Sequence, residues 1–298
     1  MKKSYFVLHV AVLLAGFTGI FGKLISLNEG LLVWYRVFFS AIWLFIILKI
    51  FRINLAIPRR EKLEIVKVGL FLTAHWVLFY ASIKYSNISI GVVCYCLTSF
   101  FTAIFEAVSK RKLAVSELFF SMLTLLGIAL IFHFDSSHQL GIALGTISSV
   151  FAALYTIQSE HLVQRYDSRL INYYQMAGGT VVLGLLLPFY LYYFPVASFI
   201  PGLKDTVYLV FLSLFCTVAL YVLFAESLKR IPAFTVNLSF NLEPVYAIVM
   251  AFLFFGEGKT VNISFYIGLL LIMASVVCQS AISIRKKISI SRDLPVLA

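Results

Sequence analysis

The chain is 298 residues long, 61% of them hydrophobic and only 12% charged. A soluble domain carries about a quarter charged residues, so this composition excludes a soluble globular protein and indicates an integral membrane protein of many spans. The net charge of +11 does not indicate a nucleic-acid binder, because the basic residues sit in short loops between apolar runs, as topology determinants do.

Ten apolar runs approach the roughly 20 residues that a membrane-crossing helix needs. The first, Tyr5–Leu24, follows Lys2 and Lys3. It is too long for a secretory leader core and lacks a small-residue cleavage site, so it is expected to be retained. Its Gly16, Gly19 and Gly22 recur every third residue, a pattern that lets a neighbouring helix approach closely or provides a hinge. The second run, Leu31–Phe51, holds Arg36 near one end. Arg36 can snorkel outward, or pair with an acid such as Glu243 or with a substrate carboxylate. The third, Ile65–Ile83, puts His75 near its middle with Trp76 and Tyr80 on an adjacent face. These rings can stack on a flat substrate, and packing or lipid contact is the competing account of each.

In the fourth run, Ile88–Val108, a straight helix would gather Tyr95, Thr98, Ser99, Thr102, Glu106 and Ser109 within an arc of about 100°. A polar stripe at membrane depth faces water or protein. It reads either as a cavity wall or as a seam of interhelical hydrogen bonds. The fifth run is Leu118–Phe134. The sixth, Leu140–Gln158, carries Tyr155 and Gln158 near one end as gate candidates. The seventh is Leu170–Phe194, and the eighth, Thr206–Ala225, carries a further gate candidate, Tyr221.

The ninth run, Pro232–Phe255, has Glu243 at its middle followed by Pro244. An acid at that depth costs roughly 2.5–3.5 kcal/mol on insertion scales, so it faces protein or water. Glu243 can bind a substrate amine, carry a proton or pair with a cation. Pro244 lacks a backbone donor and its ring excludes the carbonyl of Phe240, which predicts a bent helix. Thr235, Ser239, Glu243 and Tyr246 share one face of that helix, with Asn237 and Asn241 on another. The tenth run, Val261–Ser283, precedes a polar tail.

With the N-terminus inside, Lys23, Lys84, Lys204 and Lys259 fall outside, Arg36 falls within a span, and the rest of the 24 Lys and Arg residues fall inside. That bias predicts both termini in the cytoplasm. The segment Phe79-Tyr80-Ala81-Ser82-Ile83-Lys84 is similar to Phe224-Ala225-Glu226-Ser227-Leu228-Lys229 at an offset of 145 residues, which also pairs Thr98 with Glu243. A repeat of five spans reverses orientation in its second copy. The expected fold is therefore all-α, with ten transmembrane helices in two inverted five-helix repeats around a central cavity. The expected boundaries are 1–137, 138–284 and a cytoplasmic tail, 285–298.

Cys94, Cys96, Cys216 and Cys278 all lie in apolar runs and read as small buried hydrophobes, with no spacing that suggests a metal or redox site. No nucleophile elbow, metalloprotease motif or nucleotide-binding loop occurs. No enzyme, cofactor or ATP hydrolysis is expected.

The order and spacing of these features resemble the drug/metabolite transporter superfamily, specifically EamA-type permeases. Asn241-Leu242-Glu243-Pro244-Val245-Tyr246 followed by Phe255-Gly256-Glu257 is similar to the family's ninth helix. Trp34-Tyr35-Arg36 matches an arginine at the start of its second, Gly145–Tyr155 its sixth, and Gln175 its seventh. The first half departs from the pattern: Thr98-Ser99 stands where proline is frequent, and Lys110-Arg111-Lys112 where a terminal Gly-Glu is expected. The resemblance implies a central cavity near helices 3, 4, 8 and 9, and export of a small metabolite across the inner membrane. The expected partners are a small-molecule substrate such as an amino acid, a proton as candidate coupling ion, and the bilayer. A monomer and a homodimer are both compatible with the sequence. The candidate cavity residues are Arg36, His75, Trp76, Tyr80, Tyr95, Thr98, Thr102, Glu106, Tyr155, Ser239, Glu243 and Tyr246. The competing readings are an intramembrane enzyme or lipid-handling protein using His75, Glu106 and Glu243, and a membrane sensor that transports nothing.

Overall fold

The computed structural model describes residues 2–110, 115–132, 138–196, 198–246 and 250, and, between 266 and 282, all but 269, 272, 276, 279 and 280. Every regular element among the described residues is helical: α1 (Lys2–Leu24), α2 (Glu29–Ile50), α3 (Arg59–Tyr85), α4 (Ile88–Tyr95), α5 (Leu97–Lys110), α6 (Val115–Phe132), α7 (Gln139–Leu162), α8 (Ser168–Tyr193), α9 (Leu203–Ser213), a π-helical segment (Leu214–Ala219), α10 (Leu220–Leu228) and α11 (Ala233–Phe240). Among the described residues, seven stretches are long and apolar enough to cross a membrane: Lys3–Leu24, Glu29–Ile50, Arg59–Tyr85, Ile90–Ser109, Gln139–Leu162, Ser168–Tyr193 and Leu203–Leu228. They correspond to the expected first four spans and to the sixth, seventh and eighth. The expected fifth span is α6, and the ninth begins with α11. Phe255-Gly256-Glu257, Lys259 and the tail lie outside the described residues, as does part of the tenth span.

Side chains set several helix starts. Asn28 and Asn87 accept from the backbone N–H groups of Leu31 and Ile90 at 2.9 and 2.8 Å, satisfying donors that a helix N-terminus otherwise orphans. Asp167 caps α8 through the N–H of Arg169 at 2.8 Å and pairs with its guanidinium. These bonds, led by the side-chain pair, hold the Asp167 carboxyl below its usual range. A depressed carboxyl contributes its stability above the unfolded value and loses it as pH falls through the folded one. Asp167→Ala is therefore expected to cost about 1 kcal/mol at neutral pH, mainly through the lost cap. The penalty should fade in acid, read by thermal melting at pH 7 and pH 3.

Two spans are interrupted, and at matching places. The fourth breaks at Cys96, where a tight turn joins α4 to α5 and the Ser99 hydroxyl donates to the Cys96 carbonyl at 3.0 Å. Such local hydroxyl bonds compete with the helical ladder. The ninth breaks at Asn241 and turns helical again over 243–246, with Pro244 excluding the carbonyl four residues back. The segments before the breaks, α4 and α11, are 8 residues each and begin at Ile88 and Ala233. Their starts and ends both differ by 145, the separation at which the Trp76 indole donates to the Tyr221 hydroxyl at 3.1 Å. Tyr95 and Phe240, with ring centroids 6.4 Å apart, have the same separation.

The helices meet closely. On α1, a Cβ at Gly19 would lie 3.1 Å from Ile88, and one at Gly22 would lie 2.6 Å from the Tyr80 ring, so this glycine face packs on α3 and α4. At the α3–α8 crossing a Cβ on Gly69 would sit 2.6 Å from the Cα of Gln175. Backbone cannot yield as a side chain can, so Gly69→Val is expected to cost about 3 kcal/mol. The same test, melting in detergent, should show a much smaller loss for Gly202→Ala, under about 1 kcal/mol, because its Cβ meets nothing within 4 Å and only the N-cap of α9 is weakened.

Candidate functional site

The side chain that organises the centre is Arg36, fully buried in α2. Its Nε donates to the Thr217 hydroxyl at 2.8 Å, Nη1 to the Tyr80 hydroxyl at 2.9 Å and Nη2 to the Cys216 carbonyl at 2.8 Å. The guanidinium carbon lies 3.8 Å from the centroid of the Trp76 ring, a favourable cation–π stack. Thr217 and Cys216 belong to the π-helical segment, where the Thr217 hydroxyl bonds back to the Leu212 carbonyl at 3.0 Å. The widened turn offers the Cys216 carbonyl sideways to Arg36. Arg36 therefore does not snorkel, and the acid pairing the sequence allowed is replaced by two hydroxyls and a carbonyl.

Around it lies a small cavity lined by Ala15 and Thr18 of α1, Arg36, His75, Trp76 and Phe79 of α3, Tyr95 of α4, Leu220 and Tyr221 of α10, Phe240 of α11, and Glu243. Its volume, about 20 Å³, suffices for about one water molecule. Glu243 is buried and, among the described residues, takes no hydrogen bond or ion pair. A second lobe of about 10 Å³ shares His75, Tyr95, Tyr221 and Phe240 and is closed by Tyr155, Thr156 and Phe224.

His75 is oriented by Ser148 of α7, whose Oγ lies 2.8 Å from both His75 Nδ1 and the His75 carbonyl. The one hydroxyl proton serves the carbonyl, so Nδ1 carries a proton and donates to Oγ. This tautomer leaves Nε2 as the acceptor nitrogen.

The cavity thus gathers Arg36, His75, Trp76, Tyr95 and Glu243, with Tyr80 on the guanidinium and Tyr155 in the adjoining lobe. The first and second spans contribute alongside the third, fourth, eighth and ninth. Thr98, Thr102, Glu106, Ser239 and Tyr246 do not line it. The break at Cys96 separates Tyr95 from the polar residues of α5, so the stripe drawn on a straight helix is not one face. Thr102 instead receives a bond from Asn237 at 2.8 Å, and Ser99 one from Asn241 at 3.1 Å. Asn237 also meets the Thr156 hydroxyl at 3.0 Å. This seam ties α5, α7 and α11 together, and it was visible in the sequence as the second polar face of the ninth span. The Ser239 hydroxyl bonds back to the Thr235 carbonyl at 2.8 Å. Of the three residues that the enzyme reading invoked, His75 and Glu243 line this cavity and Glu106 does not.

A larger vestibule of about 510 Å³ opens at the end of the bundle that carries Lys84, Glu29 and Asp205. The opposite end carries ion pairs between Arg165 and Glu64, and between Lys229 and Glu226. There Glu160 accepts from the N–H of Ala233 at 3.3 Å, at the start of α11.

A family model described as the EamA-like transporter family matches residues 2–133 and 139–281. The chain is 25% identical over 191 residues to an uncharacterized transporter of Clostridium kluyveri, a match that covers 61% of this chain and 60% of that relative's length. A solved crystal structure superposes with a TM-score of 0.71 over 92% of this chain and 96% of that one, at 13% identity, a likeness of fold alone. An all-helical membrane architecture and a family match across nearly the whole chain agree: this protein belongs to the EamA-like transporter family.

Proposed function

We propose that the protein is a secondary transporter that exports a small polar metabolite, an amino acid or a related compound, by alternating access and without ATP. The observation that carries this reading is a buried cavity whose wall holds both a guanidinium and a carboxyl group. An arginine side chain has five N–H donors, and Arg36 uses three on the protein, which leaves two for a substrate carboxylate. Glu243, with no protein partner among the described residues, suits a substrate ammonium or a coupling proton. Trp76, Tyr95 and Tyr221 supply apolar walls. In this reading the halves 1–137 and 138–284 are inverted repeats, the tail 285–298 and the N-terminus face the cytoplasm, and the protein lies in the inner membrane. The recurring offset of 145 and the charge asymmetry of the loops support that arrangement.

The test is reconstitution into liposomes with a panel of labelled amino acids and other metabolites, with and without a pH gradient. Movement of an amino acid, altered by the gradient, is the expected result. A panel in which nothing moves under any gradient would overturn the reading.

A further inference from the structure

The vestibule at the Lys84 end has the volume of a metabolite site, about 510 Å³, within the range of roughly 300–1,000 Å³ usual for small-molecule pockets. The central cavity has room for little more than a water. Asp205 is spent, because its two carboxylate oxygens accept from the N–H and hydroxyl of Ser26. Glu29 is different. It is only 8% exposed, its Oε1 accepts from the Tyr190 hydroxyl at 2.6 Å, and its Oε2 has no partner among the described residues. The Lys84 ammonium makes one long bond, 3.4 Å, to the Ile25 carbonyl. Asn28 spends its oxygen on the α2 cap, and its Nδ2 has no hydrogen-bond partner among the described residues. The wall therefore offers the Lys84 ammonium as a donor with capacity to spare, and a held carboxylate oxygen as an unsatisfied acceptor.

We propose that this vestibule is a second binding site that captures the zwitterionic head of an α-amino acid, with the carboxylate on Lys84 and the ammonium on Glu29. The proposal rests on the reading of the cargo as an amino acid. A solute with only one of these charges satisfies half of the wall and leaves the rest unmatched, a cost that builds selectivity. Tyr80 lies one helical turn from Lys84 on α3. The Tyr80 ring lies against Gly22, and its hydroxyl accepts from Arg36.

The test uses the full chain with Cys278→Ser and with Ser198→Cys, which places a thiol on the vestibule wall. The rate of its labelling by a fluorescent maleimide is followed in the presence of the amino acids of the liposome panel. The amide and the N-acetyl derivative of the best protector are then compared with it. The zwitterion should slow labelling, and the two derivatives should not. Lys84→Gln and Glu29→Gln should each raise the protecting concentration by about tenfold or more, the effect of losing one charge-assisted bond. Lys84→Arg should restore protection, which separates lost charge from lost folding. The proposal is overturned if no amino acid protects, if the derivatives protect equally, or if the Gln variants protect like the parent. Protection in a protein that moves no amino acid would keep the vestibule site and remove the transport reading. Transport without protection would remove the vestibule site alone.

Discussion

Glu243→Gln is expected to reduce amino-acid transport in liposomes to background while leaving the purified protein folded. Glutamine fills the same volume and can still hydrogen-bond, so the substitution removes only the charge and the exchangeable proton. An ammonium facing a neutral amide loses a charge-assisted bond, worth about 1.5–3 kcal/mol, or about tenfold to a hundredfold in binding. The protein itself loses little. A buried carboxylate without a protein partner destabilises the fold that carries it, so melting in detergent should show no fall in Tm. The pairing of lost function with undiminished stability is the signature of a residue kept for its chemistry. Wild-type rates in the variant would rule out an ionisable role. If only gradient-driven flux is lost and substrate exchange survives, the carboxyl carries the coupling proton.

Arg36→Met is expected to show the reverse balance, with a loss of about 3 kcal/mol or more in stability. Methionine retains the apolar stem, but the Cys216 carbonyl and the Thr217 and Tyr80 hydroxyls lose the donors that meet them now. Each buried group left unsatisfied costs about 1–3 kcal/mol. Arg36→Lys should recover only part of the loss, because a single ammonium cannot span three acceptors set for a planar fork. Thr217→Val should cost about 1 kcal/mol, and in the double variant with Arg36→Met the losses should fall short of their sum, since both remove the same bond. Thermal melting of the four proteins decides this. An Arg36→Met protein as stable as wild type would show that the guanidinium is held for substrate alone.

Composition, the positions of seven of the expected spans and the 145-residue offset were legible in the sequence because each is a pattern of many residues. The break at Asn241 was legible too, through Pro244. The break at Cys96 was not, since Tyr95-Cys96-Leu97 contains neither proline nor glycine and the turn depends on Ser99. That hidden turn is why the stripe from Tyr95 to Ser109 divides into one cavity residue and a bonding seam. The setting of Arg36 was hidden for a related reason. Its partners exist only where Thr217 bonds five residues back and opens a π-helical turn in an otherwise regular span. Ser148, which fixes the His75 ring, sits on another helix 73 residues away, and no local pattern joins the two.

Under the proposed inverted-repeat arrangement, the contacts between Trp76 and Tyr221 and between Tyr95 and Phe240 would have a mechanical consequence. Residues that are counterparts in two halves and also touch must lie beside the axis that relates those halves. In a rearrangement that exchanges the shapes of the halves, points on that axis turn without travelling. In that arrangement the four rings would act as a fulcrum, with displacement growing with distance from them. The ends of the bundle, with the Lys84 vestibule at one and the Arg165–Glu64 pair at the other, are the long arms of the lever. In that proposal, small shifts in the ring packing at the centre would become large openings there.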